Sequence, residues 1–530
     1  MSTPSSSAGY ATEYLNAILW RNRITMPPVG FKPNWADKPR LGKYYPDADR
    51  IPLPDAEVPV DATLQRGLLP PGVDGTIDFD FLGCLLRDSY GLLSRRLAIH
   101  ANDDVGGLPY STGSRWARGT ASGGGLYPVS IYWVSGPGGP TLPGVYYYDT
   151  ARHEMCRLLT GDVSGVVRAA LGDEVRPPSD QFLLLGIKFW QNAFKYNSFS
   201  YHATTMDIGT LTQTWRMLAR ARDVDLAPVL WFDELRLNEL LGLQPEDEGI
   251  FAVVPLPWHG ARPAWSGSVE GATVRFTDHE RSRKVIRFET LRRIHAATSH
   301  ESTKRPNQEA LRVAAPRPRE ETEVPLPAPV ELGTTVRACL RDRRSSFGQF
   351  SAGRPLEPEL LASVLAAATS GGALPTESGR EPQHLIRLYA FVNHVSGVRK
   401  GLYAFDGERG SLRSLVTGQQ GEFLQRNYFL ANYNVEQAGA VLVVAARAGK
   451  VIEVAGDRGY RLVNAMVGAT AEATYAACSA LGIGCGAALG FDNISYIERL
   501  SISDTGEVPL LILMVGHERP GNAGFRYEIA

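Results

Sequence analysis

No apolar run in this sequence is long enough to cross a bilayer. The longest, such as Gly439 to Ala446 and Pro509 to Gly516, are about strand length and well short of the roughly 20 residues that a membrane helix requires. No membrane role is therefore expected. The N-terminal MSTPSSSAGYATEY lacks the charged start and apolar core of a secretory signal, which makes the cytoplasm the expected compartment. Charge of one sign is not in excess: Lys and Arg number 55 against 56 for Asp and Glu, a formal net charge of -1. With no basic tail, nucleic acid is not an expected partner. Cysteine is sparse and scattered. Cys84, Cys156, Cys339, Cys478 and Cys485 form no CxxC and have no histidine nearby at zinc-ligand spacing, so neither a disulfide framework nor a metal centre is expected. They read as reduced and mostly structural, with Cys478 and Cys485, around one helix end, open to either a redox pair or small apolar packing.

What is present is the composition of a soluble globular protein: 530 residues, 44% hydrophobic and 21% charged. That length suggests two large domains with extensions. Ala297 to Pro329, rich in charge and proline, reads as an exposed linker. The expected organisation is an N-terminal extended arm (1–75), a first domain (76–296), the linker (297–331) and a second domain (332–530).

The two large segments carry a weak internal repeat. Leu126 to Val134 (LYPVSIYWV) reads as a strand followed by a hairpin, GVYYYDTARHEMCRLL, and the second half answers with HLIRLYAFV and GLYAFDGERGSLRSL. DIGTLTQTWRMLARARDVD (Asp207 to Asp225) matches VGATAEATYAACSALGIG (Val467 to Gly484) without a gap, and both have helical periodicity. Each is followed by a short loop, a polar helix and an apolar strand, IFAVVPL or VPLLILMVG. This order predicts an α+β sandwich in each half.

Three segments could carry chemistry. RDRRSSFGQF (Arg341 to Phe350) precedes a proline-opened amphipathic helix; its arginines and hydroxyls suit an anion such as phosphate, although a solvated charged turn would look the same. TASGGGLYP (Thr120 to Pro128) places three glycines before a strand, allowing either close approach to a flat ligand or a flexible strand entry. GIGCG (Gly482 to Gly486) ends the second long helix and reads as a helix cap or as room for an aromatic cofactor. It lacks GxGxxG spacing, which disfavours a dinucleotide fold.

RRSSFGQF before an apolar helix, GDRGYR leading into a long helix ending in GIG, and a last strand followed by VGHER together resemble the nitroreductase superfamily. ASGGGLYP and FKYNSFSYHATTMDIG resemble segments of its SagB-type branch, which contains azoline dehydrogenases of heterocycle-bearing peptides; the arm RNRITMPPVGFKPNW is similar to that of the tandem members. Two departures stand out: Ser200-Tyr201 replaces an RY pair, and Asp207 stands near a position where the branch often has glutamate.

The resemblance implies two tandem nitroreductase-like domains forming an intrachain pseudodimer with FMN at their interface, with a higher oligomer left open. Carried over by motif, Arg343, Arg344, Ser345 and Arg519 would hold the ribityl phosphate. Gly482, Ile483 and Gly484 would line the flavin, with Ser122, Gly123 and Gly124 supplied by the first half. Lys195 and Tyr196 would supply the base, although without the family context they read as a surface lysine beside a core tyrosine. The second half has Val454 and Ala455 at the corresponding positions. For the reciprocal site, Thr376 to Leu385 resembles a partner loop, but the first half shows no RRS-like cluster and its long helix ends in RARDVD, so one FMN per chain is expected. The expected activity is oxidation of thiazolines or oxazolines to azoles in a peptide, with the cyclodehydratase of the same pathway as a candidate partner. An NAD(P)H-dependent nitro- or ene-reductase and a non-catalytic scaffold are the alternatives.

Overall fold

Two helices that are buried almost all round, Ser200–Arg220 and Gly459–Ala480, form the axis of the protein; a helix without a polar face has to be enclosed on every side. They cross against one another at glycines. A side chain on Gly209 would begin 1.8 Å from the Ala465 carbonyl oxygen, and one on Gly468 would begin 2.0 Å from that of Met206. Around the crossing the repeat pairs with itself: Asn464 Nδ2 donates to Thr205 Oγ1 at 3.0 Å across a spacing of 259 residues, and the rings of Tyr201 and Tyr460 stack with centroids 6.4 Å apart. Gly209 and Gly468 share that spacing. The gapless match read from the sequence is thus the register of a pseudo-twofold axis.

The computed structural model describes residues 9–57, 59–72, 74–111, 113–172, 179–263, 271–373, 384–520 and 524–529. Each half builds an antiparallel sheet in the same order. In the first, the strands run Asp49–Pro52, Glu154–Thr160, Gly144–Asp149, Val129–Ser135, Gln181–Lys188, Glu248–Pro255. In the second, they run Glu323–Pro325, Ser411–Thr417, Gly401–Asp406, Ile386–Val392, Ala440–Ala446, Val508–Gly516, with Gly484–Ala488 added at the edge. Central strands such as Val129–Ser135 and Ala440–Ala446 are buried at every residue because both sheet faces are covered, which is why they read as continuous apolar runs. One core cluster spans both halves, and a smaller cluster covers the outer face of each sheet.

The segments outside the sandwiches are tied in. The N-terminal arm carries the helix Tyr10–Trp20 and the edge strand Asp49–Pro52, while the linker region carries the helix Gln308–Ala314 and the edge strand Glu323–Pro325. Pro358 opens the helix Pro358–Gly372, its missing N–H falling where no helical bond is needed. The C-terminal strand Gly524–Glu528 pairs with Ser94–Asn102 of the first half in a small separate sheet. No helix among the described residues is long and apolar enough to cross a membrane.

A buried ion cluster locks the halves together. Glu234, fully buried in the first half, accepts from Arg458 at 2.7 Å and Arg461 at 2.8 Å, the two arginines of GDRGYR. Burial alone would raise its pKa, but Arg461 and Arg458 hold it down to about 2.

Candidate functional site

The glycine loop of the first half, residues 118–125, is gripped by both halves. Arg343, directly after the helix Val336–Asp342, donates through Nε to the Gly119 carbonyl at 2.7 Å and through Nη2 to those of Arg118 and Thr120 at 3.2 and 3.4 Å. Glu472 of the second-half core helix accepts the Ala121 N–H at 2.9 Å. Within the first half, Asp207 accepts the Gly123 N–H at 2.9 Å and the Ser122 hydroxyl at 2.7 Å. Thr210 donates its hydroxyl to the Ala121 carbonyl at 2.9 Å, and Asn192 reaches that of Gly123 at 3.4 Å.

Lys195 and Tyr196, at the end of the helix Trp190–Tyr196, meet the same loop. Gly124 has φ +67°, and a side chain there would collide with the Tyr196 hydroxyl at 2.4 Å and crowd Lys195 Nζ at 3.0 Å. Glycine is required on both grounds. The ammonium lies 4.6 Å from the Tyr196 ring centroid and 6.0 Å from that of Trp35 in the arm. Arg343 and the Lys195-Tyr196 pair thus touch one loop at different points.

The remaining second-half residues gather beside the strand Gly484–Ala488. Gly482, at φ +66°, terminates the core helix by donating to Ser479 O, and Ile483 N donates to Cys478 O; helix capping is therefore Gly482's local role. Gly484 opens the edge strand, and a side chain there would meet Glu518 Cγ and Ser346 Oγ, each at 2.7 Å. Ser346 N donates to Cys485 O, which lays the RRSS segment along this strand. Arg344 pairs with Glu518, one contact at 2.9 Å, and the Ser345 hydroxyl meets that of Tyr475 at 2.9 Å. Arg519 bonds through its backbone to Gln349 O and through its guanidinium to Asp104 of the first half at 2.7 and 2.8 Å. The structure brings Arg343, Arg344, Ser345, Gly482 to Gly484 and Arg519 into one cluster. The Thr376 to Gln383 part of the second partner loop lies outside the described residues.

This donor set suits a phosphate-bearing cofactor in part. Arg344 and Arg519 are partly exposed and each is matched by a carboxylate, so a phosphate would compete with Glu518 and Asp104. Ser346 Oγ is buried with no hydrogen-bond partner among the described residues, and Arg343 turns its Nε and Nη2 to main-chain carbonyls. Among the described residues there is no cluster of histidine, cysteine or carboxylate able to hold a metal, and the five cysteines are free and buried.

Burial dominates the electrostatics of the loop's two carboxylates. It pushes Asp207 up to about 7 against the pull of the Gly123 and Ser122 donors, with the Glu472 charge adding to the rise. It pushes Glu472 up to about 7 as well, although Arg343 and the Ala121 N–H draw it down. The sequence reading did not single out Glu472, Tyr475 or Glu518. A usable signal existed for the first: Glu472 is the one acidic residue in a helix with no polar face.

Comparison with known proteins agrees with this architecture. A family model described as the nitroreductase family matches residues 340–517. A protein named as a nitroreductase from Methanocaldococcus jannaschii is 30% identical over 167 residues, 31% of this chain and 82% of that protein. A solved structure named as a nitroreductase from Anabaena variabilis has 20% identity and a TM-score of 0.70, covering 96% of this chain and 99% of its own. The fold is therefore shared along the whole length, both halves included. The E. coli microcin synthetase complex with truncated pro-MccB17 bound matches at 14% identity and a TM-score of 0.28, over 48% of this chain and 82% of that one, a score too low to bear on function. On the identity and coverage of its Methanocaldococcus relative, with the family model over the second half, the chain belongs to the nitroreductase family.

Proposed function

We propose that the protein is an FMN-dependent dehydrogenase of the SagB type that oxidises thiazolines or oxazolines to azoles in a modified peptide. The observation that carries this reading is the Lys195-Tyr196 pair pressed against Gly124 of a loop whose other end is bound by Arg343. A proton acceptor and a cofactor-side arginine thereby share one rigid element. FMN, when bound, supplies the hydride acceptor. Arg344, Ser345 and Arg519 hold its phosphate, Arg343 adds charge while its N–H groups fix the glycine loop, and Gly482 to Gly484 with Ser122 to Gly124 line the ring.

Converting an azoline to an azole removes a proton and a hydride from adjacent carbons. The proton goes to Tyr196 as its phenolate or to Lys195 as its free amine, and both lie together at the loop surface, half-buried, within reach of a substrate. The first half supplies this pair, and the second half has Val454 and Ala455 in its place.

The reading is tested in two steps. Released cofactor is identified by its visible spectrum and mass, and an azoline-bearing peptide is then followed for loss of two hydrogens. Lys195→Ala and Tyr196→Phe are expected to retain FMN yet lose dehydrogenation; undiminished activity in both overturns the assignment. The nitroreductase relative favours a second reading, an NAD(P)H-dependent nitro- or ene-reductase. Rapid bleaching of the flavin by NADPH with no oxidation of the peptide would select it.

A further inference from the structure

Each core helix contains a single acidic residue, and both reach the same loop. Ser200–Arg220 has Asp207 alone, and Gly459–Ala480 has Glu472 alone. A buried carboxylate is costly unless its oxygens are matched by donors. Asp207 uses both oxygens, one on the Gly123 N–H and one on the Ser122 hydroxyl. Ser122 Oγ in turn accepts the Tyr127 N–H at 2.9 Å, closing the loop on itself. Glu472 holds the Ala121 N–H from the opposite half while Thr210 holds the Ala121 carbonyl, so the chain at Ala121 is fixed on both sides.

We propose that Asp207 and Glu472 are paired positioning residues that clamp Ala121 to Gly123, one from each half, and thereby hold Gly124 against the Tyr196 hydroxyl and the Lys195 ammonium. The effect on turnover rests on the dehydrogenase reading above; the clamp itself does not. Its logic follows from the close approach at Gly124, where even a methyl group would meet the Tyr196 hydroxyl and the Lys195 ammonium. If the carboxylates release the loop, that close placement is lost. Arg343 and Cys485 face Glu472 and Tyr90 faces Asp207, while Lys195 and Tyr196 lie beside Gly124 of the same loop. With both carboxyls held up near neutrality by burial, the clamp gains and loses charge in the neutral range. Because burial disfavours the charged forms, its hold is strongest on the acid side and weakens as both groups ionise.

The test uses the FMN-loaded full chain with Asp207→Asn and Glu472→Gln, which keep side-chain size. Amide hydrogen exchange is expected to become roughly tenfold faster or more at Ala121 and Gly123, the loss of about one charge-assisted hydrogen bond. The azoline kcat should fall about tenfold with KM changed less than about twofold. Wild-type exchange at Ala121 and Gly123, corrected for the intrinsic rate, should quicken as pH rises through neutrality, and this rise should flatten in Asp207→Asn; a purely structural defect would quicken exchange without removing its pH dependence. Should Asp207→Asn fail to fold, Ser122→Ala releases the same loop from its own side and is read in the same way. Wild-type exchange in both variants overturns the clamp, and faster exchange with unchanged kcat overturns the positioning role. If the wild type itself leaves azoline peptides unoxidised, the dehydrogenase reading fails while amide exchange still decides the clamp.

Discussion

Arg343 Nε donates to the Gly119 carbonyl oxygen at 2.7 Å across the boundary between the two halves. Its Nη2 reaches two further carbonyls of the same loop, so the planar fork of the guanidinium is matched to main chain. Lysine cannot reproduce that fork. Arg343→Lys is expected to lower unfolding stability by about 1.5–3 kcal/mol, the range for hydrogen bonds to a charged group. Arg344→Ala removes only a half-exposed pair with Glu518 and should cost at most about 1 kcal/mol, yet weaken FMN retention. Urea midpoints and FMN dissociation constants for the two variants check the contrast. Equal stability losses would show that Arg343 does not tie the loop.

The helix crossing makes a sharper prediction. A methyl group on Gly209 would begin 1.8 Å from the Ala465 oxygen, and main chain cannot rotate away as a side chain can. Gly209→Ala should therefore destabilise the protein by upwards of about 2 kcal/mol by forcing the core helices apart, and Gly468→Ala should do the same against Met206. Thermal unfolding at the wild-type temperature in either variant would contradict the packing.

These glycines were legible because the repeat is contiguous: one helix could be laid on the other by eye, and the structure keeps that register. The RRSS segment and the hairpins were legible for the same reason, each being a local pattern. The roles of Asp207 and Glu472 were not, because they depend on a loop 84 residues from one and 351 from the other. The pairing of Gly524–Glu528 with Ser94–Asn102 escaped likewise, since a short exposed strand reveals nothing about a partner at the far end of the chain. The helix Tyr10–Trp20 is short and is followed by proline-rich sequence, which masked its periodicity.

Glu234 predicts an acid limb in stability. Its carboxyl is held at about 2 in the folded protein against an ordinary value of 4.5. A depressed folded value contributes stability that is fully present above 4.5 and is lost as pH falls through 2, worth roughly 3 kcal/mol. Asp207 and Glu472 act in the opposite sense. Their raised values contribute stability that is present below the ordinary carboxylate range and is lost as pH rises through about 7. Glu234→Gln should cost about 3–5 kcal/mol at neutral pH, because Arg458 and Arg461 are left buried without their counter-charge. The difference between wild type and variant should shrink below pH 4.5. Urea midpoints across pH measure this, and a constant difference would mean that Glu234 is not the group responsible.

The final prediction concerns stoichiometry, where the two halves cease to be equivalent. Ser346 N donates to Cys485 O beyond one core helix, and Phe350 bridges Glu518; in the first half Gly75 N donates to Asp223 O beyond the other, and Ile77 bridges Trp258. The corresponding place is therefore taken by a segment around Gly75 to Asp78, which runs in the opposite sense, its bridge being parallel where that of Phe350 is antiparallel, and carries no arginine. One repeat spacing before Tyr475, which meets Ser345 in the second half, stands Arg216. This fully buried guanidinium donates to Gln213 and the Ala373 carbonyl, and its Nε has no partner among the described residues. Burial draws its pKa down to about 9. Carrying no arginine cluster along that path, the first half should hold no flavin. We therefore expect one FMN per chain, and no gain of a second even at saturating FMN. Protein and flavin quantified together after equilibrium dialysis give the ratio directly; a value near two would mean that the first-half site binds flavin without its arginines.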